Sequence, residues 1–126
     1  MARSFPVLAA LVLCAAATPA QAKPVTIRWH GQSFFEVVSP EGVRIVLDPH
    51  ALEAYGRIEV SADLVLMTHF HNDHTQIHVV ENIKQAKQIN ALTKLDKEGT
   101  RTKWSVVDEK MKDVRVRTVG TYHDTM

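Results

Sequence analysis

Three histidines and an aspartate fall within six residues, His69-Phe70-His71-Asn72-Asp73-His74, in a chain that holds seven His in all. Directly ahead stands Leu64-Val65-Leu66-Met67, an apolar run that suits a strand buried on both faces. At the exit of such a strand the extended backbone puts residues i and i+2 on one side, so His69 and His71 can converge on one ion. Where the chain then turns, Asp73 and His74 point toward a neighbouring position. Imidazole and carboxylate are the donors zinc takes when thiolate is absent, and iron and manganese accept them as well. Water on such an ion has its pKa lowered to about 7, which makes hydroxide available as a nucleophile at neutral pH.

The elements that must position this cluster can be read on either side of it. Val25–Trp29 and Phe34–Val38 are strand candidates, and Ser39-Pro40-Glu41-Gly42 is a strong turn signal. Val43–Leu47 reads as the return strand of a hairpin, ending at Asp48-Pro49. Proline has no N–H to donate, so the ladder stops there and leaves Asp48 at a strand end. Residues 50–60 read as a surface loop. Residues 75–85 are expected to form a short helix, Lys87–Leu92 a strand and Lys94–Lys103 a loop. Trp104–Val107 and Val114–Val119 then read as strands around a charged turn from Asp108 to Asp113. The alternation Val114-Arg115-Val116-Arg117 marks a half-exposed strand.

Residues 1–22 read as a secretory signal: Arg3 in a basic start, an apolar stretch from Phe5 to Ala17, and Ala20-Gln21-Ala22 before cleavage at Lys23. The apolar run is too short to span a bilayer of about 30 Å, so no membrane association is expected after cleavage. The expected location is the periplasm or the exterior. Residues 23–126 then form one domain. Cys14, the only cysteine, lies in the leader, so disulfides and thiolate ligands are excluded from the rest. The formal charge of +1 is accounted for by Arg3, and a balanced surface is a poor match for nucleic acid. A small-molecule substrate is the expected partner.

Thr68-His69-Phe70-His71-Asn72-Asp73-His74 resembles the HxHxDH signature of the metallo-β-lactamase-fold hydrolases. Trp29-His30-Gly31-Gln32-Ser33-Phe34-Phe35, Leu47-Asp48-Pro49, Ala62-Asp63-Leu64-Val65-Leu66 and Thr121-Tyr122-His123 extend the likeness to the lactonase-like and phospholipase-D-like branch. The resemblance implies an α+β fold, an αββα sandwich of which this chain supplies roughly the N-terminal half. It implies that His69, His71 and His123 bind a first zinc, that Asp73 and His74 face a second metal, and that Asp73 orients the attacking hydroxide. Asp48 would hold a ligand imidazole in its tautomer and orientation. His30, His50 and His78 are weaker candidates, and Gln32 stands where related sequences often carry His.

Such a protein would hydrolyse a lactone, ester or phosphodiester. The family also draws a bridging Asp and a further His from a second half, and the sequence ends three residues after His123. The alternative expectation is therefore an inactive, truncated metal-binding fragment. The sheet face formed by residues 25–68 would then lack its opposing sheet and be liable to self-associate.

Overall fold

The computed structural model describes residues 21, 23–95 and 102–121, so residues 1–20 and 22, expected to form a secretory signal, and also His123, lie outside the described residues. Strands β1 (Thr26–Trp29), β2 (Phe35–Val38) and β3 (Arg44–Leu47) form an antiparallel meander. Strands β4 (Leu64–Met67) and β5 (Lys87–Asn90) continue the sheet in parallel with β3. The order is therefore β1-β2-β3-β4-β5. Between β2 and β3 the Gly42 N–H donates to the Ser39 carbonyl at 2.9 Å, with Gly42 at φ +81, a conformation that costs glycine nothing.

Register explains why both faces are apolar. Trp29, Phe35, Leu47, Leu66 and Ile89 are aligned across all five strands and share one face. Val46 and Val65 point the other way, into a cluster with Phe34, Val60, Ala62, Val79, Val80 and Ala86. Burying one such Val or Leu side chain stabilises the fold by roughly 1.5–3 kcal/mol. Both parallel crossovers, residues 48–63 and 68–86, contribute to this second cluster, which locks the loops after β3 and β4 against the sheet.

Three expectations are corrected. Residues 75–85 form no helix beyond a 3₁₀ turn at Ile77–Val79 and further turns to 85. The reason is a competing partner: Val60 N–H donates to the Val79 carbonyl and Glu81 N–H to the Val60 carbonyl, so an isolated bridge to Val60 interrupts the segment and leaves it only short local turns. The stretch Lys94–Lys103, of which residues 96–101 lie outside the described residues, is not simply a loop: its two ends belong to β6 (Leu92–Leu95) and β7 (Thr102–Trp104), which pair antiparallel, so the strand expected at Trp104–Val107 ends at Trp104. The charged turn is shorter than expected. Asp108–Met111 is itself a strand, β8, paired with β9 (Val114–Arg117) across Lys112 and Asp113, and Lys112 takes φ +50.

That hairpin packs Val107, Met111, Val114 and Val116 against Val43, Ile45, Leu64 and Ile89. It is pinned by Asp113, whose carboxylate accepts Ser39 Oγ at 2.7 Å and Glu41 N–H at 3.0 Å. The outer end of the same face stays open: Ile27 is 67% and Trp29 62% exposed. Among the described residues no helix is long and apolar enough to cross a membrane.

Candidate metal centre

Strand directions bring three separate stretches to one end of the sheet. Because β3 and β4 are parallel neighbours, Asp48 at the end of one lies beside Thr68 at the end of the other, and Asp48 N–H donates to the Leu66 carbonyl. Because β2 begins opposite Leu47, the β1–β2 turn at residues 30–34 is delivered to the same end. Ligand sites in open sheets gather at the carboxyl ends of parallel strands, and this one does so.

Asp48 is 6% exposed and sits at φ +45, a left-handed conformation that Asp and Asn tolerate better than most residues. Its Oδ1 accepts Thr68 N–H at 2.7 Å and its Oδ2 accepts the Thr68 hydroxyl at 2.8 Å. The hydroxyl has one proton, and the carboxylate takes it. Thr68 Oγ1, 2.9 Å from His69 Nδ1, must then accept from that nitrogen. This places the proton of His69 on Nδ1 and a lone pair on Nε2.

His74 lies beside the same carboxylate. Its Nδ1 is 3.1 Å from Asp48 Oδ2, an ion-pair approach that is out of line for a hydrogen bond and leaves that buried nitrogen without one. One buried carboxylate thus sets the tautomer of His69 and flanks the ring of His74.

The rings themselves are gathered closely. His69 lies 4.4 Å from His71 and 4.1 Å from His74, centroid to centroid. His69 Nε2 and His71 Nδ1 are 2.9 Å apart and share a hydrogen bond, in which the His69 lone pair makes His71 Nδ1 the donor. His71 precedes a 3₁₀ turn at Asn72–His74, and this turn brings the His74 ring back to that of His69. Asp73 Oδ2 is 3.7 Å from His74 Nε2. The Gln32 amide donates to the same oxygen and, with smaller help from the Asp73 backbone, His74 and His71, holds the carboxyl below its ordinary value against partial desolvation.

The donor set of imidazoles and carboxylate suits a borderline divalent cation. Among the described residues, no group of three or more His, Cys, Asp or Glu side chains is arranged to hold a metal ion. A complete set would draw on a donor outside them, where His123 stands.

The remaining histidines lie elsewhere. His30 turns Nε2 to Glu36 Oε2 at 3.3 Å and lies over Phe34. His78 is exposed and lines a cleft of about 480 Å³ with Glu53, Arg57 and Glu59, a cleft whose lining includes no residue of the 69–74 cluster. His50 is wholly buried, so it cannot line a pocket rim. What sequence reasoning missed is the Gln32–Asp73 contact. The signal for it was a polar residue directly after the Gly31 of the first turn.

The tautomer logic makes Asp48→Asn informative. Asn keeps the shape and tolerates φ +45, and its carbonyl can still accept Thr68 N–H. Its NH₂ then faces Thr68 Oγ1 and His74 Nδ1 as a donor. Thr68 would turn its proton to His69, which would move its own to Nε2. Zinc affinity, read by competition with a chromophoric chelator, is expected to fall roughly 10- to 100-fold. The melting temperature should change little. Unchanged affinity would show that Asp48 does not set the His69 tautomer.

The β-lactamase superfamily domain matches this chain over residues 26–126. A UPF0173 metal-dependent hydrolase of Methanobrevibacter smithii is 38% identical over 52 residues, covering 38% of this chain and 22% of that protein. One of the same name from Herpetosiphon aurantiacus is 43% identical over 56 residues, covering 40% of this chain and 23% of that protein. The matched part of the chain thus spans less than a quarter of the length of these curated relatives. No solved structure matches significantly.

Proposed function

The chain belongs to the β-lactamase superfamily domain family, and on that premise we propose that it is a zinc-dependent hydrolase of small-molecule lactones, esters or phosphodiesters. Its fold is that of a metallo-β-lactamase-like domain, here a mixed sheet with few helical turns. Both relatives are named as metal-dependent hydrolases, which supports a metal cofactor. The observation that carries the reading furthest is the Asp48–Thr68–His69 relay, since a carboxylate that fixes imidazole tautomers is the usual outer support of a metal site.

His69 and His71, with His123, would hold one ion. His74 and Asp73 would face a second position. A bound zinc would lower the pKa of water and polarise the substrate's carbonyl or phosphoryl oxygen. The chain's own residues do the rest. Asp48 fixes the His69 imidazole through Thr68, and Asp73 orients the attacking hydroxide. The leader-like N-terminus supports a secreted or periplasmic setting.

The test is metal content of the purified full chain by plasma mass spectrometry, followed by hydrolysis of bis-(p-nitrophenyl) phosphate and a simple lactone. Tightly held zinc and chelator-sensitive turnover are expected. A chain that takes up no metal overturns the reading and leaves the inactive-fragment alternative.

A further inference from the structure

Gln32 occupies a costly position for a residue with a side chain. It sits at φ +43 directly after Gly31 at φ +107, in the turn that joins β1 to β2. Left-handed backbone costs an L-residue other than Gly, Asn or Asp roughly 1–2 kcal/mol, and such strain persists where the surroundings hold it in place. Here they do. The Gly31 carbonyl accepts both Phe34 N–H at 2.9 Å and His50 Nε2–H at 2.9 Å, and the Gln32 carbonyl accepts Trp29 Nε1–H at 3.0 Å. Glycine at position 32 would fit the turn without strain, so the turn alone does not account for glutamine.

The side chain does account for it. Gln32 Nε2 donates to Asp73 Oδ2 across 41 residues of sequence, and Ser33 Oγ lies 3.4 Å from Gln32 Oε1 and 3.5 Å from the Asp73 carbonyl. An amide donor on Oδ2 fixes the rotation of the carboxylate and engages one oxygen. The same oxygen lies 3.7 Å from His74 Nε2, so the rotation the amide sets is the one that faces the cluster. A carboxylate two bonds from the backbone on a short 3₁₀ turn would otherwise rotate.

We infer that Gln32 is a positioning residue for Asp73: its amide fixes the rotation of the carboxylate and so holds Oδ2 beside His74 Nε2, 3.7 Å away, at the metal centre. This rests on the metal-centre reading above. The β1–β2 turn is thereby part of the site although it carries no ligand, and its strained backbone is retained for the side chain it aims.

The decisive pair is Gln32→Gly and Gln32→Glu in the full chain, each titrated with zinc against a chromophoric chelator and each melted. Gln32→Gly relieves the backbone strain, so its melting temperature should equal or exceed that of the unaltered chain. Its zinc affinity should nonetheless fall roughly 10- to 100-fold, the usual loss when a ligand's outer partner is removed. Gln32→Glu keeps size and replaces the donor with a like charge, and should bind zinc more weakly still. Wild-type affinity in either variant overturns the inference while leaving the metal centre standing. A melting temperature for Gln32→Gly that falls along with affinity overturns it too, by tracing the loss to the turn. If the unaltered chain binds no zinc, the metal-centre reading fails and the inference falls with it.

Discussion

His71→Ala is expected to leave the fold standing and to abolish the metal-dependent hydrolysis proposed for this chain. The side chain is exposed, so truncation opens no cavity. The local turn is held by main-chain groups that the substitution leaves in place: the His71 carbonyl accepts His74 N–H at 3.0 Å and Thr75 Oγ1 at 3.1 Å. The melting temperature should therefore hardly move. The centre, by contrast, loses a nitrogen that lies 2.9 Å from His69 Nε2, and imidazole has no substitute there. Loss of an outer partner costs about 10- to 100-fold in affinity, so loss of the donor itself should exceed about 100-fold, close to 3 kcal/mol. Plasma mass spectrometry and hydrolysis of bis-(p-nitrophenyl) phosphate read the effect. A folded His71→Ala chain with undiminished metal and turnover would remove His71 from the centre.

The contrast between strands and site shows which parts of the molecule were legible in the sequence. Short-range patterns sufficed where local preference and final contacts agree. The apolar runs at residues 26–29, 35–38, 44–47 and 64–67 are strands, Ser39–Gly42 is their turn, and Asp48 does stand at a strand end. Legibility failed where a distant partner decided the outcome. Val79 and Glu81 satisfy their backbone on Val60, which no window around residues 75–85 contains. Met111 joins the core through a hairpin docked on the far side of the Ser39 turn, so a run of charges around it concealed a strand. The same holds in the site. The cluster His69–His74 is local and visible, whereas Gln32 reaches Asp73 only because the sheet order places the β1–β2 turn at the end of β3.

Histidines carry this lesson furthest, because composition treats them alike and burial does not. His50→Ala is expected to do the opposite of His71→Ala, destabilising the chain by about 4 kcal/mol. The ring is 0% exposed, stands edge-on to Phe34 at 5.5 Å and lies 5.2 Å from Tyr55. Truncating a buried ring of this size costs roughly 3–5 kcal/mol through lost packing and the cavity left behind. Two hydrogen bonds also go. Nε2–H donates to the Gly31 carbonyl at 2.9 Å, which leaves Nδ1 as the acceptor for Leu52 N–H at 3.3 Å. Leaving a buried partner unsatisfied costs a further 1–3 kcal/mol or so, offset in part where water enters. For a domain of about 100 residues each kcal/mol lowers the melting temperature by roughly 4–8 °C, so thermal unfolding should move down by more than about 15 °C. The functional consequence runs through the same contact. Gly31 precedes Gln32, so releasing its carbonyl loosens the turn that aims the amide at Asp73, and zinc affinity should weaken at temperatures where the variant is still folded. His50→Gln, which retains a donor but not the ring, should fall between the two in stability. A His50→Ala chain that melts like the unaltered one would show that this ring is neither packed nor an anchor, and would detach the β1–β2 turn from the core.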